Sequence, residues 1–94
     1  MDMRALMKQA QQMQEKLQRE MAELRVEASA GGGMVTVTMA GNRELVAVRI
    51  APEVLESKDA EMLEDLVRAA VNEASRKVEQ ALGAKMGGLR LPGL

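Results

Sequence analysis

Cysteine, histidine, tryptophan, tyrosine and phenylalanine are all absent from this 94-residue chain. Each absence closes a class of function. Without Cys or His the chain lacks the usual thiol nucleophile, the general base that titrates near neutral pH and the commonest ligands of transition metals. Without aromatics it has no platform on which to stack an unpaired base, and its core lacks the side chains that bury the most area per residue. Zero cysteine also excludes disulfides, which is compatible with a reducing cytoplasm. Long apolar runs are missing too: no stretch approaches the ~20 residues of a membrane span, and Met1-Asp2-Met3-Arg4 lacks the basic-then-apolar pattern of a secretory leader. Charge of one sign is equally scarce, because the formal net charge is -1 with a pI near 5.5. A polyanion must therefore be held by a local patch. These exclusions predict a non-enzymatic, soluble, intracellular binding protein with no cofactor, no catalytic residue and no metal site.

The residues that are present fall into two long amphipathic segments around a short alternating one. Met3, Leu6, Met7, Ala10, Met13, Leu17, Met21 and Leu24 recur at three- and four-residue spacing, one stripe of an α-helix. Met3, Leu6, Ala10, Met13 and Leu17 keep a strict heptad, which Glu20 breaks as a stutter does, so the segment has the pattern of a coiled-coil arm. Val26, Ala28 and Ala30 then alternate with Arg25, Glu27 and Ser29, and the period change places a helix-to-strand transition near Arg25. Gly31-Gly32-Gly33 supplies a turn, Met34 to Met39 a second strand, Gly41-Asn42 a tight two-residue hairpin, and Glu44 to Ile50 a third, antiparallel strand. In that strand Val46, Val48 and Ile50 are read on one face, with Leu45 and Ala47 on the other. One face is then left for the helices and one for self-association. Pro52 opens a short helical turn, Asp59 caps a further helix, and Met62, Leu63, Leu66, Val67, Ala70, Val71, Ala74, Val78, Ala81 and Leu82 mark the apolar face of six or seven turns. The fold class is α+β: a long N-terminal helix, a three-stranded antiparallel sheet, a short helical turn and a long C-terminal helix. Residues 1–86 form one domain, and 87–94, with Gly87-Gly88 and Pro92-Gly93, read as a flexible tail. So small a domain buries only about 60–65% of its unfolded surface, and self-association into a homodimer is the expected remedy.

Two features invite a sharper chemistry and do not sustain it. The triple glycine is not a phosphate cradle, since no Lys-Ser/Thr follows and a strand, rather than a helix start, comes next. The carboxylates Glu61, Glu64, Asp65 and Glu73 are scattered along the polar side of one helix, with no histidine and no second acidic helix to complete a metal site.

Met7 to Gln14 (Met-Lys-Gln-Ala-Gln-Gln-Met-Gln), Gly31 to Val37, Gly41-Asn42, Val48 to Glu53 (Val-Arg-Ile-Ala-Pro-Glu), the helix from Leu63 to Ala74, and Leu91-Pro92-Gly93 together resemble the YbaB/EbfC family of bacterial nucleoid-associated proteins. The likeness runs nearly end to end. It implies a cytoplasmic homodimer on the nucleoid, with helices projecting from a shared sheet and gripping DNA.

Under that implication, the candidate DNA-binding residues are Arg4, Lys8, Lys16 and Arg19 on the first helix and Arg76, Lys77 and Lys85 on the last. Spacing qualifies some of them. Glu15 with Arg19, and Lys16 with Glu20, stand four apart and can neutralise each other, while Lys77 lies at the edge of the apolar stripe, where a snorkelling stem explains it as well. Backbone contact with duplex DNA is favoured over base stacking. The rival is an adaptor, whose coiled-coil arm and Met stripe bind a protein of the replication or repair machinery; five of the nine Met fall in the first 21 residues.

Overall fold

The computed structural model describes residues 2–86, the side chains among them as far as 84. The tail read at 87–94 lies outside the described residues. The order is α1 (Met3–Glu23), β1 (Arg25–Ala30), β2 (Val35–Ala40), β3 (Leu45–Ile50), α2 (Pro52–Glu56) and α3 (Ala60–Met86). It is the predicted α+β order throughout. Asp2 caps α1 by accepting from the Arg4 amide at 3.0 Å, and Asp59 caps α3 by accepting from the Met62 amide at 3.0 Å. Gly83 does not end α3, which continues through it to Met86.

The sheet is antiparallel in the order β1-β2-β3. Ala28, Val35, Val37 and Met39 face α3 and are buried with Ala70, Ala74 and Val78. Alanine at positions 70 and 74 lets the helix backbone settle close to the strands, where larger side chains would hold it off. At the β1–β2 turn all three glycines have positive φ. Gly31 is doubly constrained, since a Cβ there would stand 2.6 Å from a methyl of Leu66.

The second hairpin differs from its expected form. Neither Gly41 nor Asn42 has positive φ; Arg43 does, at 70°. The Arg43 amide donates to Ala40 O at 2.9 Å and the Ala40 amide to Glu44 O at 2.9 Å, so three residues make the turn, with a left-handed residue at its end. A bulge follows: Thr38 pairs with Ala47 but Met39 pairs with Leu45, leaving Val46 as the extra residue. The face assignment changes accordingly. Leu45, Val48 and Ile50 share the face that α3 covers over β1 and β2, whereas Ala47 and Arg49 lie on the opposite face with Arg25, Glu27, Ser29, Thr36 and Thr38. That opposite face is largely polar, and Ser29 and Thr36 hydrogen-bond across it at 3.0 Å. The apolar surface left open is the margin along β3, where Leu45, Val46 and Val48 are exposed.

α1 stands apart from this core. None of its 21 residues is buried, and its last turn approaches the sheet at Gly41, just past β2. The molecule accordingly measures 67 × 28 × 16 Å, with a Cα radius of gyration of 18.7 Å. A compact chain of this length has about 12 Å.

Candidate nucleic-acid interface

Helix geometry sorts the side chains of α1 into two faces. Arg4, Lys8 and Arg19 fall within an arc of about 60° directly opposite the Leu6/Leu17 stripe, and Lys16 lies about 60° further round. From Arg4 to Arg19 the cations span about 22 Å of axis. Glu15 is the one acidic residue of α1 before Glu20, so the distal part of the helix carries a clear positive excess on a face turned away from its apolar side. All four basic residues are exposed.

The anticipated neutralisation does not occur here. Among the described residues the ion pairs are Arg68–Asp65 at 2.8 Å and Arg76–Glu73 at 2.6 Å, both on α3. Glu15–Arg19 and Lys16–Glu20 are not formed. Arg4, Lys8, Lys16 and Arg19 therefore keep their guanidinium and ammonium donors for solvent or for a ligand.

The α3 candidates are placed differently. Arg76 donates through Nε and Nη2 to the Glu73 carboxylate, at 3.1 and 2.6 Å, so its charge is matched within its own helix. Lys77 reaches from α3 to the β1 backbone and donates to Glu27 O at 2.7 Å. That bond links α3 to the sheet edge, a contact distinct from both DNA binding and a snorkelling stem. The Lys85 side chain lies outside the described residues. Beyond the sequence candidates, Arg49, on the polar face of the sheet, and Lys58, after α2, are also exposed and outside any ion pair among the described residues. The signal for Arg49 lay in the strand alternation, which sets it on the face opposite Val48 and Ile50.

Among the described residues no group of three or more acidic side chains is placed to hold a metal ion. The depression on α1 is an open trough lined by Gln9, Gln12, Met13 and Lys16, and another lies between α2 and α3 beside Val54, Leu55 and Leu63. No helix of the described residues is long and apolar enough to cross a membrane. The geometry offers an exposed cationic rod attached to a packed base, an arrangement that meets a charged surface from outside.

Comparison with known proteins agrees with that form. The YbaB/EbfC DNA-binding family matches residues 1–94. A nucleoid-associated protein of Koribacter versatilis is 53% identical over 92 residues, covering 94% of this chain and 91% of that protein. One of Thermoanaerobacter pseudethanolicus is 50% identical over 96 residues, covering 95% and 86%. The crystal structure of an uncharacterized protein from Helicobacter pylori superposes with a TM-score of 0.71 at 25% identity, covering 90% of this chain and 99% of that one. With sequence, fold and exposed cationic helix in accord, the chain belongs to the YbaB/EbfC DNA-binding family of nucleoid-associated proteins.

Proposed function

We propose that this protein binds duplex DNA as a homodimer, chiefly through phosphate contacts made by α1, and that in the bacterial cytoplasm it serves chromosome organisation or gene regulation on the nucleoid. The observation that carries the reading is the projecting α1 arm, whose Arg4, Lys8, Lys16 and Arg19 are exposed and outside any ion pair among the described residues. Phosphate contact needs no base-specific geometry, and a rigid rod with cations about 22 Å apart end to end can follow a backbone or cross a groove. Arg76 and Lys77, already engaged within the protomer, rank behind the α1 residues.

Support for the homodimer comes from where apolar surface is left over. β1's edge is tied to α3 through Lys77, whereas β3 is an edge strand whose own Leu45, Val46 and Val48 are exposed. Along α1, Met3, Leu6, Met7, Met13 and Leu17 are exposed as well. A second copy that covers β3 or the α1 stripe leaves Arg4, Lys8 and Arg19 on the outer side of the arm.

The same Met-lined stripe favours the second reading, an adaptor for a replication or repair protein. Salt separates the two. If each protomer of a dimer commits about four basic residues, log K falls against log salt with a slope of about -7, whereas contact through an apolar stripe is nearly indifferent to salt. The test is binding to a mixed-sequence duplex across a salt titration, with Arg4→Glu/Lys8→Glu alongside and its dimerisation checked. Steep dependence, with loss of binding in the folded dimeric variant, supports the DNA arm. A flat slope, or no binding at low salt, transfers the proposal to the adaptor.

A further inference from the structure

α1 and β1 are joined by one residue, Leu24, in an extended conformation with φ -62° and ψ 136°. Such a joint is short enough to be stiff, provided something holds its two sides. Four hydrogen bonds and one close packing contact do so. The Leu24 amide still donates back into the helix, to Glu20 O at 3.0 Å, and its carbonyl accepts from the Gly41 amide at 3.1 Å. The Arg25 guanidinium folds back on the end of α1, donating to Ala22 O and Leu24 O. Gly41 is buried directly beneath the last turn: a Cβ there would overlap the Met21 carbonyl oxygen and stand 3.1 Å from both Cβ and a methyl of Leu24. Its φ is not in the left-handed region, so the glycine is required by space and not by torsion. The same turn grips the other long helix, since Arg43, held at positive φ, donates to the backbone oxygen and hydroxyl of Ser75 in mid-α3.

From these contacts we infer that the β2–β3 turn is the keystone that fixes the angle between α1 and α3, with Gly41 as the positioning residue for the DNA-binding arm. The functional half of this inference rests on the proposed DNA contact; the geometric half does not. The leverage is large. A tilt of about 10° at the base of an arm about 30 Å long moves its tip by about 5 Å, enough to take one group of phosphate contacts out of reach while another is held.

The chain's lack of cysteine makes the test direct. Spin labels are placed at Gln9→Cys on α1 and Gln80→Cys on α3, both exposed, and labelled protein is diluted with unlabelled protein so that the distance within one protomer is read. Gly41→Ala is expected to shift or broaden that distance by about 5 Å and to weaken duplex binding about tenfold, while Glu64→Ala, exposed on α3 and outside the turn, changes neither. Should Gly41→Ala fail to fold, Arg43→Ala takes its place, since it removes the tie to Ser75 without adding bulk and is expected to broaden the same distance. An unchanged distance in a folded variant overturns the keystone. A shifted distance with undiminished affinity overturns Gly41's role in the DNA grip. If the unsubstituted protein binds no duplex, the DNA reading fails while the distances still decide the keystone.

Discussion

α1 and α3 are both long, amphipathic and capped by aspartate, yet α3 buries Ala70, Ala74 and Val78 and α1 buries nothing. The difference lies in their connections more than in their patterns. α3 is reached through α2 and a turn at Ser57–Asp59, with Lys58 at φ 56°, which gives the chain room to reverse and lie across the sheet. α1 enters β1 through Leu24 alone, and one extended residue cannot fold a 21-residue helix back over the strand it leads into. Side-chain size follows the same division, with alanine where a backbone comes close and Met or Leu along the face that is exposed. An amphipathic pattern thus predicts a helix without deciding whether the protomer buries its apolar face.

Substitutions at matched positions should separate the two helices most sharply. Val78→Asp, placing a carboxylate in the core, is expected to abolish cooperative unfolding, whereas Met13→Asp on the α1 stripe should leave a folded protomer whose sedimentation mass reports any loss of association. A cooperative melt for Val78→Asp would contradict the assigned core. Next in size is the contrast in DNA affinity: reversing Arg4 and Lys8 should cost about a hundredfold at low salt, while Arg76→Gln, whose guanidinium is already matched by Glu73, should cost less than about threefold. Equal losses, read by fluorescence anisotropy with labelled duplex, would place the interface across both helices. A smaller effect separates truncations of the core from truncations of the arm. Val37→Ala should lower stability by about 2 kcal/mol, and Leu6→Ala should leave the denaturation midpoint of dilute protein within experimental scatter. The smallest concerns the caps. Asp59→Ala should cost about 1 kcal/mol of global stability, whereas Asp2→Ala should reduce helicity in α1 without moving the main transition, as circular dichroism can resolve.

Much of the protomer was legible because the chain changes period where it changes structure. The 3.6-residue stripe ends at Leu24, the two-residue alternation begins at Arg25, and Gly31–Gly33, Pro52 and Asp59 punctuate the rest. The three-residue turn was not legible, because the residue that lengthens it, Arg43, is one that rarely adopts positive φ and does so here while bonded to Ser75, 32 positions away. The bulge at Val46 displaced Leu45 to the other face and, with it, the expected location of the open apolar surface. The cationic face of α1 was readable from spacing alone. Which cations were already engaged was not, since Lys77 meets Glu27 only after α3 has packed on β1, and the i,i+3 pair Glu73–Arg76 forms where Glu15–Arg19 and Lys16–Glu20 do not.

The unpacked arm has a further consequence for how this protein behaves in solution. A radius of gyration of 18.7 Å is what a compact chain on the order of 280 residues would have, three times the length of this one. A single protomer should therefore leave a sizing column ahead of a globular chain of its own mass, and any claim about its stoichiometry must come from a mass, by light scattering or sedimentation equilibrium, and never from an elution position.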